Sequence, residues 1–375
     1  MSASQTLSAG LIGLGLAVAL ISGNGSTAQA QDWKADWEAT IAAAKKEGEL
    51  VMFTRRYDEI VSAFNKSFPG IKVVTVTGRG SELGTRIIAE QRAGKYLADL
   101  YIGGPYTVDS MLLPAKSLDA IAETLILPEV MDGPHWLTGK VRYSDLERKY
   151  NIAFLANSGG GQIAYNTKLV KAEDFKSWRD LMDPKWNGKI VTLDPTQTFI
   201  GGTTQVMYFS PTLGPDFFKS FYSKRDLTYA SNNRQMTDWL AAGKYAVCIG
   251  CLHVEKAIQQ GLPLGIFDTA IWREGASYLA GSGTISLIKN APHPNAAKLF
   301  INWFLSREGQ ILLQDMDDLG THHNSSRVDI PKEIVSEENR LIEGATYQDQ
   351  NSPAWADVRP MIALGKDIIA ERAKK

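Results

Sequence analysis

The sequence predicts an α/β fold built around a parallel sheet. Residues 71–76 form an apolar, β-branched run, and residues 97–102 form a second apolar run that ends at two glycines. Between them, Leu83, Ile87 and Ile88 follow a glycine-rich turn at helical spacing. A strand, a helix and a second strand in this order make a βαβ unit, so we expect a parallel sheet with helices on both faces.

The elements before this unit alternate in the same way. A helix is predicted over residues 36–47, where Gly48 ends it, and a strand over residues 50–53. The next helix has Asp58 and Glu59 in its first turn, where the helix dipole favours acidic side chains. Its apolar face holds Ile60, Val61, Phe64 and Phe68. The loop between strand and helix leaves the carboxyl end of a strand, where open α/β sheets bind ligands.

The rest of the chain continues this alternation less regularly. Prolines interrupt residues 104–155, which should complete a first domain. Further helices are predicted over residues 178–182, 216–224, 234–242 and 295–305. Further strands are predicted over residues 189–192, 245–249 and 278–290.

The first 30 residues are typical of a secretory signal peptide. They contain no charged side chain, residues 7–21 are largely apolar, and Ala28 and Ala30 supply small residues before a cleavage site at Gln31. The missing basic residue near Met1 departs from the usual pattern. An uncleaved anchor is the less favoured alternative, because the apolar run is shorter than the ~20 residues that span a bilayer.

Length and composition are typical of a folded protein with two domains. Cleavage would leave 345 residues, enough for two domains. The net charge of −1 does not indicate binding to nucleic acid or to a membrane surface. The sequence has no G-x-S-x-G elbow, H-E-x-x-H or P-loop, so we predict neither an enzyme nor a cofactor.

Several short segments match a known family in the expected order. Residues 68–104 contain FPGIKV and ADLYIGG. The later segments are IAYNTKLV at 163–170, DPKWNGKIV at 183–191, AAGKYAVCIG at 241–250 and HPNAAKLFINWFLSREGQ at 293–310. Together they resemble periplasmic solute-binding proteins of ABC importers, in the group that includes ferric-ion-binding proteins. The resemblance spans nearly all of the chain after residue 30.

The resemblance implies a type II binding-protein fold, in which a hinge joins two α/β lobes around a ligand cleft. Residues 31–150 with 278–320 would form lobe one, and residues 151–277 with 321–375 would form lobe two. The predicted signal peptide would place such a protein in the periplasm, and a monomer is the default expectation. It would capture a small solute, close by its hinge, and deliver the solute to an ABC permease in the inner membrane.

Candidate ligand contacts in lobe one lie in loops that follow strands. Gly78, Gly80 and Gly84 have the spacing GxGxxxG, and no acid ends the next strand, so a dinucleotide site is not favoured. The N–H groups of Gly80 and Ser81 at a helix N-terminus suit an anionic or hydrogen-bonding ligand. The other candidates in this lobe are Thr54, Arg55, Arg56 and Tyr106.

Candidate contacts in lobe two are Thr196, Thr198, Arg234 and His253. The two threonines follow a predicted strand and would either cap a helix or also contact the ligand. Arginine pairs bidentately with carboxylate or phosphate, so the arginines of both lobes predict an anionic organic solute. That class includes carboxylates, phosphonates and sugar phosphates. For any single arginine, a solvated surface charge is the alternative.

Metal binding is the first alternative function. Where ferric-ion-binding members of the family carry two adjacent tyrosines, this chain has Gly250-Cys251-Leu252-His253, and no Tyr-Tyr pair occurs in it. Because Fe(III) prefers oxygen ligands, we predict no metal ligands. An exported enzyme on a related α/β scaffold is the second alternative, and a sensor that presents its ligand to a membrane receptor is the third.

Cys248 and Cys251 are the only cysteines. In an oxidising compartment they could form a disulfide or a redox site. A thioredoxin-like site needs a helix that begins at the first cysteine, whereas a strand is predicted here. The sequence therefore favours Cys248 as a small buried apolar side chain.

Overall fold

The structure, a computed structural model, describes residues 25–55, 57–159, 163–196, 202–223, 226–251, 254–317, 321–355 and 357–374. Within these ranges the strands are, in chain order, β1 (Glu49–Thr54), β2 (Lys72–Thr77), β3 (Leu100–Gly103), β4 (Leu118–Asp119), β5 (Asn151–Ala153), β6 (Asn157–Ser158), β7 (Ile163–Asn166), β8 (Ile190–Leu193), β9 (Thr228–Ala230), β10 (Val247–Ile249), β11 (Leu264–Ile266), β12 (Ala276–Leu279), β13 (Thr284–Ile288) and β14 (Tyr347–Asp349).

The α-helices of the same ranges are α1 (Gly25–Glu47), α2 (Asp58–Ser67), α3 (Gly80–Arg92), α4 (Pro105–Thr107), α5 (Pro128–Met131), α6 (Gly202–Phe209), α7 (Gly214–Tyr222), α8 (Asn233–Ala241), α9 (Val254–Gln259), α10 (Pro294–Leu305), α11 (Arg307–Asp315) and α12 (Arg359–Ala373). Among the described residues, none of these helices has the length and apolarity that crossing a bilayer requires. Residues 1–24 of the predicted signal peptide lie outside the described ranges.

The first sheet has the order β2-β1-β3-β13-β4, and β5 also pairs with β13. Strand β1 runs parallel to β2 and β3, as the βαβ pattern predicts. The prediction of a parallel sheet is wrong for the rest, because β13 is antiparallel to β3, β4 and β5. Strand β13 runs in the direction opposite to β3, and the chain forms the strands of the second sheet between these two strands.

Both faces of the first sheet are buried. Successive side chains of a strand point to opposite faces. Met52 packs in one cluster with α10 residues such as Phe300. Phe53 packs in another cluster with Leu83 and Ile87 of α3. Helices therefore cover both faces, as expected from the sequence.

The second sheet has the order β11-β7-β10-β8-β9. Strand β8 is parallel to β9 and β10, whereas β7 is antiparallel to β10 and β11. Its core includes Phe218 and Phe221 of α7 together with Met361 and Ile368 of α12. The last helix of the chain therefore belongs to the second sheet.

A third sheet, β14-β12-β6, consists of segments that pass between the two larger sheets. Strand β6 follows β5 of the first sheet and precedes β7 of the second. Strand β12 returns from β11 of the second sheet to β13 of the first. Strand β14 precedes α12. The chain thus forms two lobes that three crossing segments join, and we call β6, β12 and β14 the crossing strands.

Two predicted elements differ in detail. Residues 178–182 form a 3-10 helix rather than an α-helix. The single strand predicted over residues 278–290 is split into β12 and β13 by Gly281, whose φ of 58° turns the backbone between them.

Candidate functional site

One edge of the first sheet gathers the loops that the sequence singled out. Thr54 and Thr77 are paired at the carboxyl ends of β1 and β2, and Gly103 ends β3 opposite Thr284. The Thr284 hydroxyl donates to the Gly103 carbonyl at 2.8 Å. The loops after β1, β2 and β3 and the loop before β13 therefore leave from one place, which we call the lobe-one edge.

The described candidates of lobe one all lie at this edge. Arg55 is exposed, and its Nη1 donates to Ser282 Oγ at 3.1 Å. Ser81 is exposed in the first turn of α3, and Tyr106 is 54% exposed in α4. Thr54 lies beneath them, fully buried, and its hydroxyl has no hydrogen-bond partner among the described residues. The sequence signal missed Ser282, because it lies 227 residues from its partner.

Gly80 sits where no side chain would fit. An ideal Cβ on Gly80 would lie 2.5 Å from Thr107 Oγ1 and 2.9 Å from the Tyr101 hydroxyl oxygen. Glycine thus lets the N-terminus of α3 approach α4 closely. The α3 N-terminus is organised by the Arg79 N–H, which donates to Glu82 Oε2 at 3.1 Å.

The first N–H groups of α3 face the edge. They have no partner within the helix, and they carry the positive end of its dipole. Burial raises the pKa of Tyr101 beneath them, so its hydroxyl stays neutral. This corner of the lobe-one edge is suited to an anion.

One edge of the second sheet gathers the lobe-two candidates. Strands β8, β9 and β10 are parallel and end at Leu193, Ala230 and Ile249. The antiparallel strand β7 begins beside Ile249, at Ile163. We call this end of the sheet the lobe-two edge. The loop after β8 carries Thr196, and the loop after β9 leads to Arg234.

Thr196 is engaged within its own turn. Its N–H and its hydroxyl both donate to Asp194 Oδ1, at 2.8 and 2.7 Å. The hydroxyl oxygen keeps acceptor capacity for a ligand donor. Arg234 is exposed in the first turn of α8, where Asn232 Oδ1 accepts from the Gln235 N–H at 3.1 Å. Three further predicted contacts, Arg56, Thr198 and His253, lie outside the described residues.

A disulfide joins Cys248 and Cys251 at the lobe-two edge. Both cysteines are buried, so the burial predicted for Cys248 is confirmed, and the disulfide that the sequence left open as an alternative is present. Between them, Gly250 has a φ of 86°, and a Cβ there would lie 2.6 Å from the Leu193 side chain. The disulfide therefore closes a tight turn that packs against the start of the Asp194 loop.

The two edges face each other. Strand β5 ends at Ala153, opposite Thr284 of the lobe-one edge. The chain then passes through β6 and enters the second sheet at Ile163 of the lobe-two edge. The return through β12 reaches the first sheet at Thr284. Since the crossing segments connect these ends of the sheets, the loops of both edges border the space between the lobes.

A cavity of about 1410 Å³ lies beside the first sheet, and Tyr106 is the only described candidate contact in its wall. Leu118, Asp119 and Leu287 in that wall belong to the end of the sheet opposite to Thr284. The cavity is therefore not centred on the two edges. Its wall includes Tyr106 and Asp109 from the first lobe and Gln205 from the second. Burial, with a smaller effect of Asp145, raises the pKa of Asp109 to about 7. The sequence analysis missed Asp109, although its position three residues after Tyr106 places both on one helical face.

Three arginines near the edges are free of ion pairs to described residues. Among the described residues, Arg55, Arg79 and Arg234 form no ion pair with a carboxylate. Within the same ranges, no group of three or more His, Cys, Asp or Glu side chains could hold a metal ion. The edges thus present unpaired cations and helix N–H groups.

Comparisons with known proteins agree with this architecture. A family model described as bacterial extracellular solute-binding protein matches residues 53–311. A putative 2-aminoethylphosphonate-binding periplasmic protein of Salmonella typhimurium is 25% identical over 264 residues, which are 69% of this chain and 72% of that protein.

Two solved structures share the fold. The Trichodesmium protein IdiA (FutA), in complex with iron and citrate ligands, is 18% identical with a TM-score of 0.62, covering 88% of this chain and 100% of its own. The periplasmic binding protein AfuA of Actinobacillus pleuropneumoniae, with fructose-6-phosphate bound, is 21% identical with a TM-score of 0.51, covering 88% and 99%. The predicted two-lobed type II fold and the resemblance to binding proteins, rather than enzymes, are confirmed.

Proposed function

Because the chain belongs to the bacterial extracellular solute-binding protein family, we propose that it captures a small anionic organic solute between its two edges. One observation carries the proposal. Arg55 at the lobe-one edge and Arg234 at the lobe-two edge are exposed, and neither is paired with a carboxylate among the described residues. An anion between the lobes would be contacted from both sides.

The chemistry of the lobe-one edge supports an anion with several oxygen atoms. The guanidinium of Arg55 presents paired N–H donors in a plane, which match a carboxylate, phosphonate or phosphate. The N–H groups at Gly80 and Ser81 add donors at the positive end of a helix dipole. Tyr106 offers a half-exposed ring and hydroxyl beside them. We infer that Thr54 supports this edge from below.

The lobe-two edge would complete the contacts on closure. Arg234 adds a second guanidinium, Thr196 adds a hydroxyl oxygen and the turn at Gly250 borders the same space. Solutes named for relatives fit this donor set. Both 2-aminoethylphosphonate and fructose-6-phosphate, named for the Salmonella and Actinobacillus proteins, carry a phosphorus oxyanion.

We further propose that the protein acts in the periplasm as a monomer, after export by residues 1–30, and delivers its solute to an ABC permease of the inner membrane. The periplasmic location stated for the Salmonella relative supports this placement. Hinge closure around the solute would give the permease a signal that the protein is loaded.

Thermal unfolding with a panel of solutes tests the proposal. The panel holds 2-aminoethylphosphonate, fructose-6-phosphate, simple carboxylates, spermidine and ferric citrate. A solute at about 100 times its Kd adds ~2.7 kcal/mol of stability. At ~2–4 °C per kcal/mol, the midpoint should rise by several degrees. We expect the rise with a phosphonate or phosphate.

Arginine variants then test the site. Arg55→Ala and Arg234→Ala should each weaken binding of the active solute by about 10- to 100-fold, the worth of a charge-assisted hydrogen bond. Arg92→Ala is the matched control, because Arg92 is exposed at the opposite end of α3. Unchanged affinity in both edge variants would contradict the anion site. A shift with spermidine or iron alone would reverse the predicted class of solute.

A further inference from the structure

A single buried arginine contacts all three crossing segments. Arg142 is 5% exposed, and its Nη1 donates to the Leu155 carbonyl, just before β6, at 2.7 Å. Its Nη2 donates to Asp349 Oδ1, in β14, at 3.2 Å, and its Nε lies 2.8 Å from Asp349 Oδ2 without forming a hydrogen bond. Its guanidinium carbon lies 4.8 Å from the ring centre of Tyr278, in β12. The side chain belongs to the first lobe, where the Arg142 carbonyl accepts from the Ala153 N–H at 2.7 Å.

Asp349 extends these contacts. Its Oδ1 also accepts from the Asn351 N–H at 2.9 Å, and Asn351 Oδ1 accepts from the Ala280 N–H at 2.6 Å. The β14 and β12 segments are thus bound to each other and to Arg142. Burial, with Asp349 as the next cause, raises the pKa of Tyr278 to about 12, so the ring under the guanidinium stays neutral.

We propose that Arg142 is a positioning residue of the hinge, which fixes the three crossing strands relative to one another and so sets the balance between open and closed lobes. Any rotation of the second lobe must pass through these strands. The Arg142 and Asp349 side chains are 5% and 16% exposed, so separating them would leave a largely buried guanidinium without its counterion, which is costly. Conformations that separate the crossing strands would break this pair and are therefore disfavoured.

The inference does not depend on the identity of the solute. Among the described residues, the Arg142 side chain contacts Leu155, Asp349 and Tyr278, none of which is a proposed ligand contact. We therefore expect it to influence affinity through the fraction of binding-competent protein. Its failure would leave the proposed anion site standing, and the anion site could fail while Arg142 still controls the hinge.

The chain provides a matched control in a second buried arginine–aspartate pair. Arg327 is 1% exposed, its Nε and Nη2 donate to Asp329 Oδ1 and Oδ2 at 2.9 and 2.8 Å, and its guanidinium lies 5.5 Å from the Trp136 ring centre. Its Nη1 donates to the carbonyls of Glu129 and Leu305 at 3.1 Å. Arg327 Nη2 also lies 3.4 Å from Glu129 Oε2, and His135 Nδ1 lies 3.2 Å from Asp329 Oδ2, so this pair has more ionic partners than Arg142 and Asp349 have. The partners Trp136, Glu129 and Leu305 belong to the lobe of the first sheet. The pair therefore controls for disturbance of a buried arginine–aspartate pair that involves no crossing strand.

Distance measurements between the lobes test the proposal without a ligand. Spin labels would be placed at Ala89 of α3 and Asp238 of α8, both exposed and on different lobes, through ketone-bearing noncanonical residues that leave the disulfide intact. The distribution of distances would be recorded for the unmodified sequence, for Arg142→Lys and for Arg327→Lys. Urea unfolding would measure the stability of each.

We expect both lysine variants to lose stability, but only Arg142→Lys to change the interlobe distances. A change of about tenfold in the ratio of conformations would bring a minor state of ~1–10% into clear view. Should Arg142→Lys fold poorly, the isosteric pair Asp349→Asn and Asp329→Asn supplies the same comparison. Equal distance distributions in the two pairs, at equal loss of stability, would overturn the proposal.

Discussion

The close approach of α3 to α4 can be tested by adding one methyl group. Gly80→Ala places a Cβ 2.5 Å from Thr107 Oγ1 and 2.9 Å from the Tyr101 hydroxyl oxygen. Such overpacking typically costs ~1–3 kcal/mol. Because the φ of Gly80 is accessible to alanine, the substitution also restricts the unfolded chain, which stabilises by ~0.4–1 kcal/mol. The clash is the larger effect, so we expect a net loss of ~0.5–2 kcal/mol.

A second substitution identifies the atom responsible. Thr107→Ala removes Oγ1 and leaves the Thr107 Cβ at 3.6 Å from the new methyl group, which is ordinary contact. The double variant Gly80→Ala/Thr107→Ala should therefore recover much of the loss, as a non-additive coupling of ~1 kcal/mol. Gly80→Ala/Thr107→Ser is the matched control, since serine keeps the hydroxyl oxygen and should recover nothing.

Urea unfolding of the unmodified protein, the three single variants and the two double variants measures these differences, provided that the dependence of the unfolding free energy on urea concentration is the same in all six. If an anion binds at the α3 N-terminus, Gly80→Ala should also weaken the active solute, and Thr107→Ala should restore part of the affinity. Full stability of Gly80→Ala, or equal rescue by alanine and serine at Thr107, would refute the reasoning from close contact.

Three further predictions concern stability. Asn302 is fully buried, and its Oδ1 accepts from the N–H groups of Ile126 and Leu127. Because Asn302→Ala leaves these two buried donors without an acceptor, it should lower the free energy of unfolding, measured in urea, by ~2–6 kcal/mol. A loss below ~1 kcal/mol would contradict this. Reduction of the disulfide should lower the free energy of unfolding by ~2 kcal/mol, because the unfolded chain is then no longer constrained by the closed loop. As the control, the variant in which both cysteines are alanine should unfold at the same temperature with and without dithiothreitol. Burial and Asp145 raise the pKa of Asp109 from 3.8 to about 7 in the folded protein. Between these pH values the folded state binds a proton at Asp109 that the unfolded state does not bind. The free energy of unfolding should therefore fall as pH rises through this range. Asp109→Asn should flatten that part of the stability–pH curve, and an unchanged curve would show that the carboxyl is solvated.

Local sequence patterns predicted the helices and strands well, because the formation of each element depends on residues that are near one another in the sequence. Gly48 ends α1 with a φ of 71°, which glycine adopts freely. The apolar face of α2 is confirmed by the burial of Ile60 and Phe64. The βαβ alternation likewise predicted the parallel pairing of β1 with its neighbours.

Features that depend on distant partners could not be predicted from the sequence. Arg142 has Val141 and Tyr143 as its chain neighbours, and no sequence pattern there indicates that its charge will be buried. Its partner Asp349 is 207 residues away. Arg55 and its partner Ser282 are likewise far apart in the chain. Residue types at strand ends suggested the edges, but the side chains that complete them come from elsewhere in the chain.

The position of β13 has a consequence for the order in which the molecule can fold. This strand lies between β3 and β4 in the first sheet, yet its Thr284 is 181 residues later in the chain than its partner Gly103. Until residue 288 has been made, the first lobe lacks an interior strand, and β4 and β5 have no strand to pair with. The five strands of the second sheet, which span residues 163–266, have all been made by then, whereas α12 of the same lobe follows later. We therefore expect the second lobe to gain structure first during synthesis. Until β13 is made, the side of β3 that pairs with it has unpaired backbone N–H and C=O groups.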